Sequence, residues 1–154
     1  MHRLVMSLMV AGSLVTPVIA YQARGVAGSE IKACSILTKD LVEPFTENKR
    51  LLDLFPPDEE TSPASSACEY GVVRLQHYPS RPGAPRTIPK DFQPLAGVGE
   101  QAAFRSNGNR YAEMLVWSGA HHFTLQVAVP TGSTAEAIKP KTVTLANAII
   151  QKLR

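Results

Sequence analysis

The stretch QAAFRSNGNRYAEMLVWSGAHHFTLQVAV, residues 101–129, decides the fold. Asn107-Gly108 is a hairpin signal because these two residue types tolerate the positive φ of a tight turn. Gln101 to Arg105 and Arg110 to Trp117 flank it as strands. A second tight connection falls at Ser118-Gly119 or Gly119-Ala120, and the strand after it runs to Val129, where Pro130 ends it. This spacing predicts a meander of three antiparallel strands.

Upstream, Ala67 to Tyr78 alternates as one more strand, with Gly71 marking a bulge or a close approach. Downstream, Ser133 and Glu136 fit a capping box opening a C-terminal helix, and Pro140 should kink or restart it. Val143, Ala146, Ile149, Ile150 and Leu153 then recur at helical spacing, while Lys141, Thr142, Asn147, Gln151 and Lys152 face away. Such a stripe must lie on the sheet, the only large apolar surface available. Near the start, Thr38 can cap a short helix from Lys39, which Pro44 ends, and a second short helix fits Glu47 to Phe55, with Leu51, Leu52 and Phe55 on one face. Asp58 to Ser66 reads as a polar surface loop, and PSRPGAPRTIP (79–89), with Arg81 and Arg86, as an exposed loop. The fold expected is α+β: an antiparallel sheet of about four strands, a C-terminal helix on one face, and short N-terminal helices.

Residues 1–20 have the anatomy of a secretory signal: a basic start at His2-Arg3, an apolar core of about a dozen residues, and small residues before Tyr21. That core is shorter than the roughly 20 apolar residues a bilayer span needs, so no stable membrane anchor is expected after cleavage. Residues 21–29 read as an exposed leader and 30–154 as a single domain. The formal charge of +3 falls to about +2 once Arg3 is removed, too little to suggest nucleic acid. Cys34 and Cys68 form an even pair in an oxidising compartment, most simply one disulfide. Metal ligation would want clustered ligands, and redox work a Cys-x-x-Cys; neither pattern is present.

His121 and His122 raise the question of a metal or catalytic site. Consecutive side chains on a strand point to opposite faces, so the two cannot hold one ion together. Either turn choice puts His121 with Phe123, Leu125 and Val127, and His122 opposite Leu115 and Trp117, where it can stack on Trp117. The pair therefore reads as a hairpin mouth; a metal role would need His77 or a carboxylate to join one of them. With a two-residue Asn107-Gly108 turn, Phe104 and Tyr111 join Leu115 and Trp117 on the face away from Met114 and Phe123. Either the N-terminal helices cover that aromatic face, or part of it is an open binding surface. A three-residue turn would flip this register.

Motifs for chemistry are lacking. Gly97-Val98-Gly99-Glu100-Gln101-Ala102 has a dinucleotide spacing but no strand before it and no helix after it, so it reads as a glycine turn. There is no Gly-x-Ser-x-Gly and no His-Glu-x-x-His, and Glu100 and Glu113 are candidate carboxylates only by elimination. No catalytic residue, metal or cofactor is assigned.

The order Cys-Ser-Ile-Leu-Thr-Lys-Asp (34–40), Cys-Glu-Tyr-Gly (68–71) and Leu-Ala-Gly-Val-Gly-Glu-Gln-Ala (95–102) resembles a group of small exported bacterial domains of unknown function. The resemblance implies a bacterial envelope setting, an α+β fold and a Cys34–Cys68 bond; it carries no activity. Many such domains are lipoproteins, and this chain departs from them in lacking a lipid-anchor cysteine. The expectation is a periplasmic or secreted, non-enzymatic binding or accessory module. Its partner would be an envelope protein, a polymer or a small apolar ligand, met by Phe104, Tyr111, Leu115, Trp117 and His122 or by the loop around Arg81 and Arg86. The alternatives are a small hydrolase or metal protein using His77, His121 or His122, and an inhibitor of an envelope enzyme contacting its target through the Pro-rich loop.

Overall fold

The computed structural model describes residues 31–79 and 85–154. The signal, the leader and Arg81 lie outside the described residues. Seven strands form one antiparallel sheet: β1 (Asp58–Ser62), β2 (Ser65–Tyr70), β3 (Val73–Pro79), β4 (Gln93–Leu95), β5 (Gln101–Asn107), β6 (Tyr111–Ser118) and β7 (His121–Ala128), in the order β1-β2-β3-β7-β6-β5-β4. Four helices accompany it: α1 (Ala33–Ile36), α2 (Lys39–Val42), α3 (Arg50–Leu54) and α4 (Ala135–Lys152), with a 3-10 turn at Glu43–Phe45. Among the described residues no helix is long and apolar enough to cross a membrane.

The meander over β5, β6 and β7 is as expected, but the sheet has seven strands, not about four. Two of the additional strands are polar edges. β1 replaces the loop expected at 58–66; an edge strand exposed along its length has no buried parity and so shows no apolar alternation. β4 is short and carries Pro94, a residue tolerated at an edge because its missing N–H costs no internal bond. The third comes from the run 67–78, which folds back as a hairpin: Tyr70 pairs with Val73 across Gly71-Val72. Gly71 takes φ +58°, which favours glycine, and a Cβ there would sit 2.8 Å from Leu52 Cδ2, so any other residue would also force the buried Leu52 side chain to shift.

Register assigns the faces. Cys68, Leu75, Leu125, Met114 and Phe104 form one row across the sheet, flanked by Tyr70, Val73, Val127, Ala112 and by Ser66, His77, Phe123, Val116, Ala102. This helix face and α4 share one core, to which Ile138, Leu145, Ala146, Ile149 and Ile150 contribute. The N-terminal helices lie on the same face. Ala33 N–H donates to Ser66 Oγ at 2.9 Å, Tyr70 O–H donates to Leu52 O at 3.1 Å, and the Cys34–Cys68 disulfide ties α1 to β2 with Cα atoms 4.9 Å apart. They do not cover the opposite face, as one reading of the sequence had them do.

Local expectations need correction at six points. The hairpin at Asn107 pairs Asn107 with Tyr111 across three residues, so Phe104 pairs with Met114 and faces the core, fully buried. α4 is capped by Thr134, whose Oγ1 accepts from Ala137 N–H at 3.2 Å, one residue past Ser133. Pro140 does not restart α4, which runs on through it; at the sixth helical residue it removes a single bond, to the exposed Glu136. Thr142 is buried, its hydroxyl donating to Ile138 O at 3.1 Å, which satisfies the group inside the helix ladder. In α3, shorter than expected, Leu52 alone is buried, while Leu51 and Phe55 are exposed. α2 begins at Lys39 as expected, although the Thr38 hydroxyl bonds the Asp40 carboxylate rather than the backbone.

Candidate functional site

The second face carries the candidate site. Its rows are Tyr78–His122–Trp117–Gln101, Gln76–Thr124–Leu115–Ala103 and Arg74–Gln126–Glu113–Arg105, with Tyr111 at one end opposite Ala128. Of the residues expected on this face, Tyr111, Leu115, Trp117 and His122 lie on it, Trp117 itself buried, and Phe104 does not. The expected stack is formed: His122 lies 4.6 Å from Trp117 with ring planes 3° apart. Tyr78, missed in the sequence reading, extends it at 5.2 Å on the other side of His122. Its signal was parity with Arg74 and Gln76, hidden by treating 67–78 as one strand. Burial holds the His122 pKa below the ordinary histidine value. The row is therefore a neutral aromatic ladder at neutral pH, and among the described residues His122 Nε2 is a buried nitrogen without a hydrogen-bond partner.

The β5 side of this face is closed by the connection preceding β4. Arg86 pairs with Glu100 at one end of β5, and Asp91 pairs with Arg105 near the other. The Arg105 guanidinium also engages Glu113 and lies 4.5 Å from the Phe92 ring centroid, and Phe92 is buried. The described part of the Pro-rich connection is, as expected, an exposed loop at Pro85, Thr87 and Pro89, which Arg86, Asp91 and Phe92 pin to the sheet. This accounts for the two carboxylates singled out by elimination. Glu113 is buried between Arg105 and the Gln126 amide, which donates to it at 2.7 Å. Glu100 accepts from Arg86 and from Gly119 N–H at 3.1 Å, and these donors hold its carboxyl below the usual range. Both carboxylates are occupied in structural pairing. The glycine turn serves the same corner: Gly99 takes φ +56°, and a Cβ would meet Trp117 O at 2.5 Å, where Glu100 N–H donates to that carbonyl at 2.9 Å.

What remains uncovered by helix or strap is the β3–β7 side, with Arg74, Gln76, Tyr78, Thr124 and Gln126 partly exposed, and a shallow pocket of about 290 Å³ between Tyr111, Gln126 and the Gly71 turn. Arg74 is itself neutralised by Glu60 at 3.1 Å and Glu69 at 3.3 Å. The surface is amide-rich and aromatic rather than charged.

The histidines separate by face. His77 Nε2 and His121 Nδ1 face each other at 3.1 Å on the helix side, and whichever nitrogen carries the proton donates to the other. Burial, then the fields of His121 and His122, push the His77 pKa down to about 4. His122 points to the other face. Among the described residues no three His, Cys, Asp or Glu side chains converge to hold a metal ion. No protein-family model matches the chain, and no curated protein and no solved structure is significantly similar to it.

Proposed function

We propose that the protein is an exported, non-enzymatic binding or accessory module of a bacterial envelope, periplasmic or secreted, whose second sheet face meets a partner protein or polymer. The observation that carries this reading is the segregation of all four helices to one face, leaving Tyr78, His122, Gln76, Thr124 and Gln126 on a face no helix covers. Stacked aromatic edges among amide and hydroxyl groups offer contact area together with hydrogen bonding, a combination common to recognition surfaces. The exported setting rests on the N-terminal signal pattern and agrees with the Cys34–Cys68 bond.

The test is capture of the partner from the exporting host with the oxidised protein, followed by affinity measurement on variants. Thr124→Arg places a long cation in the middle of this face without disturbing the core and should abolish binding. Trp117→Ala should weaken binding, and His121→Ala should leave it unchanged. Binding that survives Thr124→Arg and Trp117→Ala but is lost in His121→Ala overturns the assignment. That outcome would favour the metal or hydrolase alternative, for which the His77–His121 contact speaks. Loss only when residues 85–89 are replaced would favour the inhibitor alternative.

A further inference from the structure

The sheet has two edges, and only one of them is closed to another strand. β4 is three residues long and carries Pro94 at its centre, so it offers little main chain to a neighbour. β1 runs for five residues, Asp58–Ser62, without a proline, glycine or lysine. Ser62 pairs with Ser65 across Pro63-Ala64, so the main-chain groups of Ser62, Glu60 and Asp58 bond to β2. The next hairpin agrees: Tyr70 closes on Val73, which turns Ser66 and Cys68 toward β3 and Ala67 and Glu69 toward β1. The N–H and C=O groups of Glu59 and Thr61 therefore point away from the sheet. Among the described residues no hydrogen bond reaches them.

An open edge invites an added strand, and its charge decides which strand can come. On the second face Asp58, Glu60 and Glu69 set three carboxylates against Arg74, which pairs with the last two at 3.1 and 3.3 Å. On the helix face Glu59 accepts from the Ser66 hydroxyl at 3.1 Å. Counting Lys32, which precedes Ala33 beside that hydroxyl, against Glu59 leaves the helix side neutral. The neighbouring α2–α3 segment, with three cations and four acids over 38–55, offsets nothing. The β1 edge thus keeps two surplus negative charges in a chain whose formal charge is +3. A second copy of β1 would set carboxylates beside carboxylates, which opposes pairing.

We propose that β1 is a docking edge for an extended basic segment of a partner protein. The segment joins the sheet through the main chain of Glu59 and Thr61, with alternate lysines or arginines facing Asp58 and Glu60. The ladder holds the segment, and the carboxylates select it and turn away copies of β1. Thr124, at the middle of the second face, lies three strands away, so this docking does not rest on the reading of that face.

The probe is a short capped peptide alternating lysine and valine, titrated into the disulfide-bonded protein and followed by backbone amide shifts and hydrogen exchange. In the free protein the Glu59 and Thr61 amides should exchange faster than that of Glu60, and the peptide should slow both. D58N/E60Q should bind roughly threefold to tenfold more weakly, through two lost cross-strand charge pairs. Thr61→Pro removes an N–H that bonds nothing in the fold, so it should abolish binding and keep the thermal unfolding midpoint. Thr124→Arg should leave peptide binding unchanged, which separates this reading from that of the second face. No binding would overturn the proposal. So would equal binding by the peptide N-methylated at its ladder-forming positions, or by a peptide alternating glutamate and valine. Slow exchange at Glu59 and Thr61 before the peptide is added would overturn it too, since the edge would already be occupied. A concentration-dependent dimer that Thr61→Pro abolishes would replace the basic segment with a second copy of this chain.

Discussion

The two faces of this sheet are built on different physics. On the helix face, rows such as Leu75–Leu125–Met114–Phe104 run unbroken across four strands and are fully buried under α1–α4. On the other the rows differ in kind: aromatic in Tyr78–His122–Trp117–Gln101, amide, hydroxyl and aliphatic in Gln76–Thr124–Leu115–Ala103, and ion-paired in Arg74–Gln126–Glu113–Arg105. The first face stores stability, and shortening a side chain there leaves a cavity that destabilises the fold. The second gives up burial to keep polar groups at a surface, which is what a recognition face requires. The contrast can be broken most sharply at Phe104 and Tyr111, which a two-residue turn would place together. Phe104→Ala should cost about 3–5 kcal/mol and Tyr111→Ala less than about 0.5 kcal/mol, read from denaturant midpoints. Equal costs would mean that the turn has the other register and that the faces are misassigned.

Next in size is the staple that fixes the N-terminal helices to the helix face. Cys34→Ala/Cys68→Ala removes a bond across 34 residues of sequence, and the loss of chain restriction should cost about 3–4 kcal/mol. Because Cys68 belongs to the helix face, Trp117 emission from the folded state should be unchanged in this variant. A change would show that the staple also shapes the second face.

Legibility in the sequence followed the same division. The meander was readable because β5, β6 and β7 bury one face each and so alternate. The His122–Trp117 stack was readable because Ser118 pairs with His121 across Gly119-Ala120, giving the parity expected of either turn choice. β1 was invisible because an edge strand of Asp, Glu, Thr and Ser has no buried parity to betray it. Phe104 was misplaced because Asn107-Gly108 signals a turn without fixing whether the loop holds two residues or three. The strap over 86–92 was hidden for another reason. Its two ion pairs and the Arg105–Phe92 contact join side chains 13 or 14 positions apart, and no periodicity records such pairings. The uncovered half of the second face was foreseen only as one of two options, since which face the N-terminal helices choose depends on the direction of Cys68, itself set by the Gly71 turn.

The histidines offer a pH test of the same contrast. His77 lies inside the helix face, and burial with two histidine neighbours holds its pKa at about 4 against an unfolded value near 6.5. A histidine with a depressed folded pKa is neutral in both states above that window. As the pH falls from about 6.5 to 4 the unfolded chain takes up the proton first, so stability is lost on acidification and the loss levels off below about 4. The full effect is on the order of 3 kcal/mol. His122 contributes in the same direction through burial. Asp91 and Glu100, whose arginine bonds hold their carboxyls low, lose their contribution only at more acid pH. His77→Gln should flatten the stability profile between pH 4 and 6.5. An unchanged profile would mean that His77 is not the buried group responsible.

The smallest effect tests whether the second face is organised or merely polar. If Trp117 and His122 interact as stacked rings, the double-mutant cycle Trp117→Leu, His122→Val at pH 8 should give a coupling of about 0.5–1.5 kcal/mol, beyond the area each ring buries. Working at pH 8 keeps His122 neutral, so the term measured is stacking and not attraction between a cation and the indole. Trp117 is buried while His122 and Tyr78 reach the uncovered β3–β7 side, so rings held parallel here lose side-chain freedom that solvent exposure would otherwise restore. Measurable coupling therefore means that the protein maintains this ladder in a fixed arrangement before any partner arrives, and preorganisation of that kind lowers the entropic cost of recognition. A coupling of zero would leave the second face as ordinary solvated sheet, and the case for its role in binding would then rest on Thr124→Arg alone.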